Sequence, residues 1–131
     1  MNIVVSNQSE IKTADLHFLW IDGYYDGVLS GFASLKDRLC YFSILDDPTV
    51  PRRYSLHSLT DQEAEDAVRN YKEFKGRFGD HCDLSADGSH AGGKSFATIE
   101  TALAYQEEKK HVPPVSYDDR PIIGWFSSEK L

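Results

Sequence analysis

Alternation of apolar and polar positions marks the first half of the chain as sheet. Asp15 to Asp22, "DLHFLWID", is rich in large apolar residues and closes on Asp22-Gly23, a turn signal. Gly27 to Leu35 alternates, with Val28, Ser30, Phe32 and Ser34 on one side and Leu29, Ala33 and Leu35 on the other. Arg38 to Leu45 sets Cys40, Phe42 and Ile44 against Leu39, Tyr41 and Leu45. Only Lys36-Asp37 separates these two runs, a length that suits a hairpin. A fourth run, Arg52 to Leu59, follows the turn "DDPTVP" and points Tyr54 and Leu56 the same way. Runs joined by such short links predict an antiparallel meander.

The period changes at Thr60. Thr60 is a natural N-cap and Glu63, three residues on, completes a capping box. Ala64, Ala67, Val68, Tyr71, Phe74 and Phe78 then recur at three- and four-residue spacing, and Gly79 is placed to end the helix. This Thr60–Phe78 helix is expected to lie across the sheet and supply half of the core. Phe74 and Val68 should be buried beneath it, with Phe42 and Trp125 on the sheet below or beside it. Asp80 to Ser95 is polar and Gly-rich with no apolar period, which predicts a mobile loop. A weaker helix is expected over Ser95 to Lys110, with Phe96, Ile99, Leu103 and Ala102 inward. Pro113, Pro114 and Pro121 keep "HVPPVSYDDRP" extended, and "PIIGWF" (Pro121 to Phe126) reads as a final strand. The pattern predicts one α+β domain over residues 1–131. It consists of an antiparallel sheet of about five strands, one main amphipathic helix, and a second, weaker helix packed on it.

Composition narrows the function classes. A chain of 131 residues that is 40% hydrophobic and 12% aromatic can bury a real core. Fourteen basic residues against 21 acidic ones leave a net charge of −7. Phosphate neutralisation draws on Lys and Arg, so this balance argues against nucleic acid as a partner and favours a basic protein. The opening "MNIVVSNQSEIK" has no basic region leading into an apolar run, and no window is long and apolar enough to span a bilayer. With Cys40 and Cys82 read as reduced thiols, the expected setting is the cytoplasm, away from membranes. Nothing in the pattern fixes an oligomeric state.

Three segments invite a chemical reading. "GSHAGGKS", Gly88 to Ser95, fits the phosphate-binding pattern G-x-x-x-x-G-K-[ST]. A working loop of that kind follows a buried parallel strand, whereas "FGDHCDLSAD" precedes this one, and no later apolar strand carries the magnesium-binding Asp. No nucleotide cofactor is therefore expected. His81, Cys82, Asp83, Asp87 and His90 are legitimate transition-metal ligands, but their spacing matches no common closed site and a solvated loop accounts for them. "WIDGYYDG", Trp20 to Gly27, brackets Tyr24 and Tyr25 with Asp22 and Asp26 at a strand connection. Both tyrosines cannot face inward from a tight turn. Exposed Tyr beside carboxylates makes a recognition surface for a partner, while the same residues could instead cap the turn and cover the core edge.

The stretches "DGYYDGVLSG", "RRYSLHSLT" and "RPIIGWF" together resemble a family of small uncharacterised bacterial proteins. In that family a Tyr/Trp-Asp-Gly turn leads into a Leu-Ser-Gly strand, and a Gly-Trp-Phe strand closes the domain. The resemblance implies one compact α+β domain and assigns no activity, cofactor or site residue. The expected function is a cytoplasmic protein-interaction module, of the inhibitor or immunity type, that presents Asp22, Tyr24, Tyr25 and Asp26 to a basic partner. The alternative is a small enzyme or ligand-binding protein with a cleft near Trp20, Asp22, Asp26 and Trp125. No catalytic residue, metal ligand or cofactor is assigned.

Overall fold

A computed structural model describes residues 9–24, 28–45, 52–79, 82–89, 103–104, 107 and 117–131, with only the backbone of Tyr24. Five strands pair antiparallel in sequence order: β1 (Leu16–Tyr24), β2 (Val28–Leu35), β3 (Arg38–Ile44), β4 (Arg52–Ser58) and β5 (Ile122–Ser128). One long helix, α1 (Asp61–Phe78), lies between β4 and β5 in the sequence, and the fold is α+β.

Local chemistry sets the boundaries. Lys36 and Asp37 take left-handed backbone angles (φ 50° and 64°), making a two-residue turn whose twist matches the strands that it joins. At the start of α1 the Thr60 hydroxyl accepts from the Glu63 amide at 3.1 Å, and the Glu63 carboxylate accepts from the Thr60 amide at 2.9 Å. This capping box satisfies amides that have no partner within the helix. Gly79, at φ 90°, closes the other end with its N–H on the Lys75 carbonyl.

The sheet curls until inward rings from its two edge strands touch. Phe18 on β1 and Phe126 on β5 stand 5.5 Å apart, centroid to centroid, and both pack edge-on against Phe42 of β3. Tyr54 stacks on Phe126, and its hydroxyl donates to the Val28 carbonyl at 2.6 Å. These four rings and Leu56 are all at 0% exposure, so the concave face is the dry core. Each ring pair adds about 0.5–1.5 kcal/mol beyond the area that it buries.

Irregular segments cover both sheet edges. On the β1 side, Leu84 donates its amide to the Leu19 carbonyl, while Ile21 and Phe18 donate to Cys82 and Ala86. On the β5 side, Ile11 donates to Trp125 at 2.7 Å, and Trp125 donates to Ser9. Gly124 permits this second contact, because a Cβ there would lie 2.8 Å from the Ser9 carbonyl oxygen. Gly88, at φ 95°, packs against Phe18 and Leu131, and Lys130 reaches Asp87 at 3.2 Å. Residues 82–89 are thus built onto the edge of β1 and bury Leu84, where the sequence pattern predicts a structureless loop. Residues 80–81 and 90–95 lie outside the described set.

The helix packs on the other face, over Trp20, Phe32 and Tyr41. Its embedding is shallower than its apolar stripe predicts: Ala67 and Phe78 are buried, but Val68, Tyr71 and Phe74 are only partly so. Phe42 is fully buried on the opposite, concave face, and Trp125 is partly exposed. Of the expected second helix, residues 103, 104 and 107 are helical, and Leu103 is 58% exposed instead of inward. Phe96, Ile99 and Ala102 lie outside the described residues. No helix among the described residues is long and apolar enough to cross a membrane.

Candidate functional site

Asp22 is the one described side chain of the expected Asp22–Asp26 surface, and it stands in β1, not in a turn. Register shifts on both sides of it make this part of β1 irregular, and its carboxylate accepts from the Ser30 hydroxyl at 3.4 Å. The Tyr24 side chain, Tyr25 and Asp26 lie outside the described residues. The same irregular pairing twists the start of β2, so Val28 joins the concave cluster while Phe32 joins the helix-face cluster. Trp20 is buried between Tyr71 (centroids 4.4 Å, nearly parallel) and Phe32 (4.7 Å). Trp125 is carried by β5 at the other edge of the sheet. A row of hydroxyls runs between these edges: Ser30 pairs with Ser43, Ser43 with Ser55, and Ser55 with Trp125.

Asp22 gains significance from its surroundings on the helix face. Tyr117 packs edge-on to Phe32 and Tyr41 and is buried. Burial pushes its phenol pKa up, and the carboxylates of Glu63, Asp66 and Asp22 push it further against the opposing pull of Arg120. Three acids that are distant in sequence therefore act on one point. Asp118 and Asp119 are exposed beside it, and Asp61 is exposed at the start of α1. Arg120 is bonded to Glu63 and to Asp119, Arg69 to Asp66, and Arg38 lies 3.6 Å from Asp61. Among the described residues this surface therefore gathers six carboxylates and three guanidiniums. The Glu63 carboxyl is held below its ordinary range first by the Thr60 amide and then by Arg120, so the helix cap and the acidic surface share a residue.

A buried polar chain fixes the loop that carries Tyr117 and Arg120. His57 Nδ1 lies 2.9 Å from the Arg120 carbonyl oxygen, and its Nε2 lies 2.7 Å from Ser55 Oγ. A carbonyl only accepts, so Nδ1 carries a proton, while the one proton of the Ser55 hydroxyl is shared between Nε2 and the Ser43 carbonyl, 3.2 Å away. The Ser58 amide adds a bond to the Pro121 carbonyl, and the Arg120 amide returns to Tyr117. Ser55 and His57 have the bond of a nucleophile and its base. At 4% and 2% exposure they are closed to substrate, and the pair acts as a tie between β4 and the loop.

Sequence reasoning did not single out His57, Tyr117 or Arg120. The alternation that turns Tyr54 and Leu56 to one face places Ser55 and His57 together on the other, and that was the available signal. Tyr117 carries no comparable signal, because its contacts come from β2, β3 and α1.

The remaining candidates do not converge. Asp83 is bonded to Tyr71 and, at 2.6 Å, to Lys75, while Asp87 is bonded to Ser89 and Lys130. His81 and His90 lie outside the described residues, and no group of three His, Cys, Asp or Glu among the described residues could hold a metal ion. Cys40 and Cys82 are free thiols, Cys40 buried with its pKa raised by that burial. In the Gly88–Ser95 pattern the amides of Gly88 and Ser89 bond to Ser85 and Asp87, and the rest lies outside the described residues. An open groove of about 760 Å³ borders the Lys36–Asp37 turn, with charges of both signs along its rim. Comparison with family models, curated proteins and solved structures found no match.

Proposed function

We propose that this protein is a protein-interaction module, of the inhibitor or immunity type, that uses the acidic surface around Tyr117 to bind a basic site on another cytoplasmic protein. This reading is supported by the charges of Asp22, Glu63 and Asp66 all raising the pKa of one buried tyrosine, whose chain neighbours Asp118 and Asp119 are exposed. A net-negative surface attracts a basic partner over about 10 Å at 0.1 M salt, raising its association rate. The His57 tie holds the loop in place before binding, which lowers the entropy lost on association.

The test compares partners captured by the wild type and by the triple variant Asp22→Asn, Asp118→Asn, Asp119→Asn. The expected partner is basic, associates more slowly with the variant, and loses that difference as salt is raised. A partner held equally by both proteins at low salt would overturn the reading.

A further inference from the structure

The flank of α1, between its sheet-facing stripe and its outward side, carries two parallel ridges, Ala64–Val68–Lys72 and Glu65–Arg69–Glu73, at the four-residue spacing that packed helices use, with Val68 also touching the helix-face core. The groove between them is open, with a volume of about 540 Å³, and Ala64 and Val68 supply apolar side chains along one wall. Ridges-into-grooves packing fills such a groove with the corresponding ridge of another helix, crossing at about −50°. Farther along the outward side stands Gly76, where a Cβ would meet nothing within 4 Å. Glycine in an exposed helix interior costs about 1 kcal/mol relative to alanine, and no contact in the monomer offsets that cost.

The charges on the ridges identify the occupant. Arg69 is drawn to Asp66 at 2.5 Å, so it does not engage Glu65 or Glu73, its neighbours four residues away. Among the described residues Glu65, Lys72 and Glu73 have no ion-pair partner, and all three are exposed. Glu65 and Lys72 lie two helical turns apart, too far to pair within one helix. A two-fold axis beside Val68 runs a second copy of α1 in the opposite sense. Lys72 of each copy then meets Glu65 of the other, and Val68 faces the second copy's Val68 and Arg69.

We propose that this face of α1 binds a second copy of the chain through a two-fold crossing of the helices. The contact is a weak one. A single helix crossing buries less than the roughly 1,200–2,000 Å² of a stable interface, so dissociation constants in the upper micromolar range follow. Its salt dependence comes from the two Glu65–Lys72 pairs.

Sedimentation equilibrium of the full chain up to about 500 µM, at low salt, tests the proposal. The wild type should show a monomer–dimer equilibrium that weakens as salt is added. Glu65→Lys alone and Lys72→Glu alone should each weaken it about tenfold or more, because attraction becomes repulsion at both symmetric contacts. The double variant Glu65→Lys, Lys72→Glu should return to within about threefold of wild type. Both positions are exposed and unpaired in the monomer, so the variants should fold, which circular dichroism checks. A strictly monomeric wild type, a dimer indifferent to the single reversals, or a double variant that fails to recover would each overturn the proposal.

Discussion

The two faces of this sheet are built from the same strands and have different interiors. On the concave face Phe18, Phe42, Tyr54 and Phe126 interlock with no exposure, and the one polar atom among their side chains, the Tyr54 hydroxyl, is bonded to Val28. On the helix face the rings of Trp20, Phe32, Tyr41 and Tyr117 share their space with Glu63, Asp66, Asp22 and the His57 tie. A curled sheet can fill its own hollow side with alternate residues, so it needs less of the helix than a flat sheet would. The helix is then free to carry charge close to the sheet. Stability is concentrated on one side of the strands and the candidate recognition chemistry on the other.

Substitutions can break or sharpen that contrast. The largest effect is expected from Phe126→Ala, which removes a ring that touches three others. It should lower unfolding free energy by about 3–5 kcal/mol in denaturant titrations. Phe74→Ala, at a partly exposed position on α1, should cost about 1–2 kcal/mol. Equal losses at the two sites would mean that the helix face is as dry as the hollow. A middle-sized effect is expected at the tie: His57→Leu takes the ring donor from the Arg120 carbonyl and leaves Ser55 only its bond to Ser43, and should cost about 1–3 kcal/mol. It should also speed amide exchange in residues 117–121 more than in β3. Exchange that rises uniformly would show that the loop does not depend on His57.

The smallest effect concerns the closure of the sheet edge. The Ser89 hydroxyl and amide, and then Lys130, hold Asp87 well below the usual carboxylate range, at about 2. Its folded pKa is depressed, so its contribution to stability is present above the ordinary value of 3.8 and lost as pH falls through about 2. Asp87→Asn should remove the part of the acid dependence that falls in this window and lower stability by a constant amount above about pH 5, leaving the slope there unchanged. An unaltered acid limb would show that the Asp87 contacts with Ser89 and Lys130 do not contribute.

What could be read from the sequence was local. The Lys36-Asp37 hairpin, the Thr60–Glu63 capping box and the alternation of Cys40 and Phe42 against Tyr41 depend on neighbours within a few residues, and the structure reproduces them. The curl was not legible, because it arises from contacts between β1 and β5, the two strands farthest apart in the sheet. That is why Phe42 was expected under the helix and Phe74 deep within it. The irregular β1 likewise moved Asp22 from the expected turn into a strand, where it accepts from Ser30 and its charge acts on Tyr117. Leu84 is the lone aliphatic residue in its polar stretch, and only the pairing of residues 82–86 with β1 reveals its burial.

The placement of β5 sets the order of events in folding. β2 and β3 are joined by a two-residue turn, whereas β4 and β5 meet only after the whole chain between Ser58 and Ile122 has been looped back. Closing that long loop costs about 3 kcal/mol more entropy than closing the hairpin, so β5 should dock late. Until it does, Phe18, Phe42 and Tyr54 line an unfilled hollow, and the free edge of β4 can pair with another strand. The partly folded chain is therefore most vulnerable to aggregation in the interval before Phe126 enters.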